Sequence, residues 1–129
     1  MFSFKRAKAA HIRLGQKGES IARAALEELG MEYLCGNYRC KYGELDLVFR
    51  ENGCLCIVEV KTRHRHSGFS AAGAVNRRKR RNIIRSTACY LAEIGKPALP
   101  VRYDIVEVIF EKRRLREVNL IRGAFASEE

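Results

Sequence analysis

Tryptophan is missing from this sequence, proline occurs only at Pro97 and Pro100, and acid is scarce beside base, with 15 Asp and Glu against 25 Lys and Arg. No apolar run comes near the roughly 20 residues that a membrane-spanning helix requires. The basic start, Met1 to Lys8, has no apolar stretch behind it, so no secretory signal is expected and the cytoplasm is the expected compartment. Cysteine is present in an odd number, at Cys35, Cys40, Cys54, Cys56 and Cys89. Neither Cys35-x4-Cys40 nor Cys54-x-Cys56 has the spacing of a zinc site. Reduced thiols serving as small buried hydrophobes are expected, without disulfides or structural zinc. Internal repeats and low-complexity tracts are also lacking. One α/β domain over 1–129 is expected, with a basic lead-in at 1–15 and a short tail at 124–129.

What is abundant is positive charge. The formal net charge is +10 and the pI about 9.7, and the charge is clustered. From Val60 to Ala92 there is no acidic residue, while the same stretch holds Lys61, Arg63, Arg65, Arg77, Arg78, Lys79, Arg80, Arg81 and Arg85, with His64 and His66. Residues 1–18 are likewise free of acid. Such clustering in a small domain points to a polyanion. A basic block at a helix start is mildly unfavourable against the helix dipole and is rewarded by a phosphate backbone. The plainer alternative is a solvated helix face, since Arg and Lys are good helix formers. No large apolar face adjoins the charge, which disfavours a membrane surface.

Periodicity places the elements. Lys17 to Leu29 reads as a helix with Ile21, Ala22, Ala25, Leu26 and Leu29 as its apolar stripe and Gly30 as its C-terminal stop. Residues 31–38, 44–50 and 54–61 read as strands, and Asn52-Gly53 is a type I′ hairpin signal, because both positions need positive φ. A loop from Thr62 to Gly68 is followed by a helical stretch from about Ser70 to Ile94, with Gly73 a point of breakage and Gly95 and Pro97 its close. Val101 to Phe110 is a fourth strand and Leu115 to Ile121 a fifth. The order is αβββαβ(β), a mixed sheet covered by helices.

The hairpin fixes a register. With Asn52 and Gly53 in the turn, paired positions sum to 105, so Asp46 faces Glu59 and Glu44 faces Lys61, all on the side of Val48 and Ile57. The opposite side carries Leu45, Leu47, Phe49, Cys56, Val58 and Val60. Two facing carboxylates among apolar strands destabilise a sheet unless something neutralises them. A divalent cation with oxygen ligands does so, with Lys61 beside it. A solvated cross-strand salt-bridge ladder is the other reading. Glu19 lies beside Leu26 at the edge of the helical stripe, placed either to lean along the core boundary or to serve as an ordinary first-turn glutamate.

Asp46 followed by Glu59-Val60-Lys61 resembles the PD-(D/E)xK nuclease signature, with Leu45 where that signature has Pro. More broadly, Gly15-Gln-Lys-Gly-Glu19, Asn37-Tyr-Arg39, Gly43-Glu-Leu-Asp46, Val58 to Arg63, Lys79, Tyr90-Leu91, Arg102 to Glu107 and Gly123-Ala-Phe125 resemble the YraN-like family of small bacterial proteins of unassigned function. The resemblance implies a restriction-endonuclease-like core related to Holliday junction resolvases. It implies Mg²⁺ (or Mn²⁺) on Asp46, Glu59 and the Val60 carbonyl, with Glu19 completing the site. Lys61 would orient the attacking water or stabilise phosphoryl charge, making Glu19, Asp46, Glu59 and Lys61 the expected catalytic set. Arg63, Arg65, Arg77, Arg78, Lys79, Arg80 and Arg81 would hold nucleic acid. The expected activity is metal-dependent endonuclease action on structured or branched DNA, by shape over sequence, from a homodimer that cuts two strands. A non-catalytic nucleic-acid-binding module on the same fold is the alternative. An RNA-binding, ribosome-associated accessory protein comes third, because it leaves the facing carboxylates unexplained.

Overall fold

The computed structural model describes residues 17–65 and 76–127. A helix over 17–28 (α1) leads into strands β1 (Glu32–Cys40), β2 (Gly43–Glu51) and β3 (Cys54–His64). Helix α2 (Arg77–Glu93) then crosses over to β4 (Val101–Glu111) and β5 (Arg114–Phe125). The strands form one sheet in the order β1-β2-β3-β4-β5. The β3–β4 pair is parallel and every other pair antiparallel. A parallel pair needs a crossover element, and α2 supplies it. This is an α/β fold with a mixed sheet, in the order αβββαββ.

Each helix covers one face. Ala22 and Leu26 of α1 pack with Leu47, Phe49, Cys56, Val58, Val106, Val108 and Phe110. Ile83, Tyr90 and Leu91 of α2 pack with Leu45, Val48, Leu55, Ile57, Tyr103 and Ile105. Neighbouring residues of the central strands, such as Val48 and Phe49 or Ile57 and Val58, are therefore buried on opposite sides. That explains why these strands are apolar in both parities.

Several expectations are corrected. The predicted loop at Thr62 is strand through His64, because β3 keeps pairing with β4 to His64↔Phe110. A continuous helix from Ser70 is excluded, since Asn76 is extended (φ −76°, ψ 172°) and caps α2 by accepting from the Lys79 N–H. The break expected at Gly73 lies outside the described residues. Leu29 is 57% exposed and does not join the core stripe of α1. The tail begins later than 124, since Phe125 is buried and stacks on Tyr103 with ring centres 4.9 Å apart. Cys56 is the one fully buried cysteine; the other four are half-buried, and all five are free.

Two tight turns organise the hairpins. Asn52 (φ 51°) and Gly53 (φ 75°) make the expected β2–β3 turn, and the ladder follows the predicted register from Glu51↔Cys54 to Leu47↔Val58. The β4–β5 turn has the same left-handed backbone at Lys112 (φ 49°) and Arg113 (φ 66°), without a glycine.

Candidate active site

The β2–β3 ladder stops at Leu47↔Val58, one step short of the predicted Asp46–Glu59 pair. Beyond it, β2 stays with β1, through Tyr38↔Leu45 and Arg39↔Glu44, while β3 stays with β4. The inward alternation of β2 breaks there too, because Leu45 joins Val48 on the α2 side and not Leu47 on the α1 side. Asp46 and Glu59 are thus not ladder partners. They meet for another reason. The Val60 N–H, left without a strand carbonyl, donates to Asp46 Oδ2 at 2.9 Å, which satisfies a backbone donor that burial would otherwise penalise.

Glu59 is 2% exposed. One carboxylate oxygen lies 3.8 Å from the Lys79 ammonium. The other, Oε1, is buried without a hydrogen-bond partner. Burial first, and the negative charge of Asp46 second, push the Glu59 carboxyl up to about 8, against the pull of Lys79 and Lys61. Lys61 is half-buried. Its ammonium is pushed down by burial and by Lys79 beside it, with Glu59 and Asp46 acting in the opposite sense. Lys79 enters this site from the first turn of α2, held by the Asn76 cap at 2.9 Å. It shares a helix face with buried Ile83, four residues on. Sequence reasoning placed Lys79 among phosphate contacts; no spacing rule joins it to a strand twenty residues earlier.

Glu19 approaches from α1. A Cβ at Gly18 would stand 2.0 Å from Thr62 Oγ1, so the missing side chain lets α1 press against β3 immediately after Lys61. The Glu19 carboxyl is pushed up by burial, then by Asp46 and by Glu44, while Asn37 pulls it down. With its amide nitrogen turned toward the acids, Asn37 donates to Glu44 at 2.7 Å and to Glu19 at 3.2 Å. Asn37 itself has φ 53°, in the left-handed region that asparagine tolerates. Asn37 was not expected in the site, although it belongs to the Asn37-Tyr-Arg39 motif. Glu44 ion-pairs with Arg39 at 3.4 Å, not with Lys61 as the extended register implied.

Among the described residues no three His, Cys, Asp or Glu side chains converge as a complete metal-binding group. The donor set nevertheless fits Mg²⁺. That ion is commonly held by one or two carboxylates, keeping water and substrate phosphate as its other ligands. Asp46 and Glu59 are hard oxygen donors that repel one another, and the unpartnered Glu59 Oε1 is the oxygen a cation would satisfy.

The basic tract divides. Arg77, Arg78 and Arg81 are exposed on the first turns of α2, where no acidic residue stands. Arg80 lies over the Phe125 ring at 5.3 Å. Arg63 is held by Glu107 at 2.8 Å, and Arg65 by Glu111 at 3.4 Å. His66 lies outside the described residues, and none of the described helices is long and apolar enough to cross a membrane.

Comparison with known proteins agrees with the motif pattern. Residues 18–108 match the model of the uncharacterised protein family UPF0102. A UPF0102 protein of Nocardia farcinica is 39% identical over 113 residues, 87% of this chain and 88% of that one. One from Chlorobaculum parvum is 35% identical over 117 residues, covering 87% and 91% of the two chains. One from Moorella thermoacetica is 36% identical over 114 residues, covering 88% and 95%. The matched span holds Glu19, Asp46, Glu59, Lys61 and Lys79 together, and the chain belongs to the UPF0102 family, the YraN-like family that its motifs resemble.

Proposed function

We propose that this protein is a metal-dependent endonuclease acting on structured or branched DNA. The observation that carries the reading is Glu59, a buried carboxylate set beside Asp46 with one oxygen unpartnered and two lysines attending. A purely structural role would not favour that arrangement, because an apolar residue of the same size would be more stable there. Asp46 and Glu59 would hold the ion, with the Val60 carbonyl and Glu19 as the further oxygens beside them. When bound, Mg²⁺ acts as a Lewis acid on the phosphoryl oxygen and lowers the pKa of water.

The chain's own residues supply the rest. Lys61, kept near the carboxylates by their charge, holds positive charge where the scissile phosphate gains negative charge. Lys79 balances Glu59, and Asn37 fixes the orientation of Glu19 toward Asp46. Arg77, Arg78 and Arg81 hold the flanking backbone without reading bases, which favours recognition of DNA shape. Five free thiols suit the cytoplasm, and a homodimer is the assembly that would cut both strands. A binding module on the same fold is favoured by one observation, that Lys79 itself sets a positive charge beside one Glu59 oxygen.

Both readings meet the same experiment. Purified protein is given labelled linear duplex, single strand, flap and four-way junction with Mg²⁺ or Mn²⁺, and scored for cutting and gel shift, with Lys61→Ala and Asp46→Asn alongside. Cutting of branched DNA that both variants lose, with shift retained in Asp46→Asn, is the expected result. Shift without cutting would establish the binding module. Equal cutting by the variants would overturn the site.

A further inference from the structure

A second cluster of reactive side chains lies between the end of β1 and α2. Cys40 closes β1, and its sulfur lies 3.4 Å from the Ser86 hydroxyl of α2. The Tyr42 N–H, in the turn after β1, donates to the same sulfur at 3.4 Å. Cys89 follows Ser86 by three residues and so shares its helix face. That places its thiol on the side of α2 that meets Cys40, and each thiol influences the titration of the other. Both thiols are half-buried, so small solutes can reach them. Lys41 and Arg85 flank the Tyr42 ring at 5.1 and 5.7 Å, which makes the surroundings electropositive.

We propose that Cys40 is a peroxide-reactive thiol and Cys89 its resolving partner, so that oxidation joins the end of β1 to α2 through a reversible disulfide. The partners of Cys40 are those that stabilise a thiolate: a backbone N–H and a hydroxyl free to turn its proton toward sulfur. Burial alone would push the Cys40 thiol up, but the hydrogen bonds with Ser86 and Tyr42 lead the influences that outweigh it and hold the thiol below its ordinary 9.0. Cys56 and Cys35 contrast with it. Burial pushes Cys56 up to about 12 and raises Cys35 as well.

The chemistry balances with hydrogen peroxide as oxidant. The Cys40 thiolate attacks one peroxide oxygen; an S–O bond forms, the O–O bond breaks, and hydroxide leaves to take up a proton as water. The Cys89 thiolate, having given its proton to solvent, attacks the Cys40 sulfur of the sulfenic acid. An S–S bond forms, the S–O bond breaks, and hydroxide leaves to take up the proton that Cys89 released, as a second water. Two thiols are oxidised and one peroxide is reduced. None of the carboxylates takes part, so the pair stands whether or not the chain cuts DNA.

The test uses the reduced full chain. Brief alkylation at neutral pH, read by peptide mass spectrometry, should modify Cys40 about tenfold faster than Cys35 or Cys56. Hydrogen peroxide followed by alkylation should give the Cys40–Cys89 linked peptide, cleaved again by dithiothreitol. In Cys89→Ser, dimedone should trap Cys40 as its sulfenic acid; in Cys40→Ser, no dimedone adduct should form at Cys89. Equal alkylation of all five cysteines in the parent, or a dominant crosslink between any other pair, would overturn the proposal without relying on either variant.

Discussion

Replacing Glu59 by Gln should stabilise the metal-free protein above neutral pH. The carboxyl is raised from an ordinary 4.5 to about 8 in the folded chain, chiefly by burial and then by Asp46. The folded state therefore holds this proton more tightly than the unfolded state does. Below pH 4.5 the group is protonated in both states and nothing is lost. Between pH 4.5 and about 8 the unfolded chain gives up this proton while the folded chain keeps it, so stability falls across that window and the loss is complete once the folded group ionises as well. At about 1.4 kcal/mol per pH unit, the loss amounts to roughly 3–5 kcal/mol. Gln keeps the shape of the protonated acid and offers its amide N–H to Asp46, so the variant should escape that loss. Urea unfolding with a chelator present, at pH 4.5, 6.5 and 8.5, measures it. The two proteins should coincide at the acid end and diverge steadily toward the basic end, with Glu59→Gln the more stable. Added Mg²⁺ at pH 8.5 should then raise the parent's midpoint and leave the variant's unmoved. A constant difference across pH, or a variant weaker than the parent at pH 8.5, would refute the reasoning.

Other perturbations test the scaffold around the site. Gly18→Ala adds a Cβ that would stand 2.0 Å from Thr62 Oγ1; it should destabilise by about 1–3 kcal/mol despite the better helix propensity of alanine. Thr62→Ala in the same chain should recover much of that in thermal melts, and no recovery would mean that the contact is not the cause. Lys112→Asn with Arg113→Gly should stabilise by about 1–2 kcal/mol, because both positions are left-handed without glycine. An unchanged urea midpoint would show that the present turn carries no strain.

The same two turns show what a sequence can reveal. Asn52-Gly53 announced the first, and the register it implied is observed over five successive pairs. Lys112-Arg113 carries no local signal, so the full extent of β5 came only from the ladder that runs to Tyr103↔Phe125. At the candidate site, the proximity of Asp46, Glu59 and Lys61 was legible because they lie on one hairpin. The way Asp46 and Glu59 meet was not. Strand alternation cannot foresee where two strands part, and the bond from the Val60 N–H to Asp46 exists because they do. Lys79, Asn37 and the Cys40–Cys89 pair belong to contacts made by packing α2 and β1 onto the sheet, and tertiary packing leaves no mark at short sequence range.

The parallel β3–β4 pair carries a consequence for the order of assembly. β1 to β3 are joined by short turns, as are β4 and β5, and hairpins of this kind close within microseconds. Joining β3 to β4 must instead gather residues 65–100, α2 included, into one closed loop. The local hairpins are therefore the early units, and their union along the parallel ladder is the slow event. Glu59 stays wet until β4 and α2 arrive. Its burial accompanies that union, so a proton or a cation on this one carboxylate makes the joining of the two halves of the sheet more favourable.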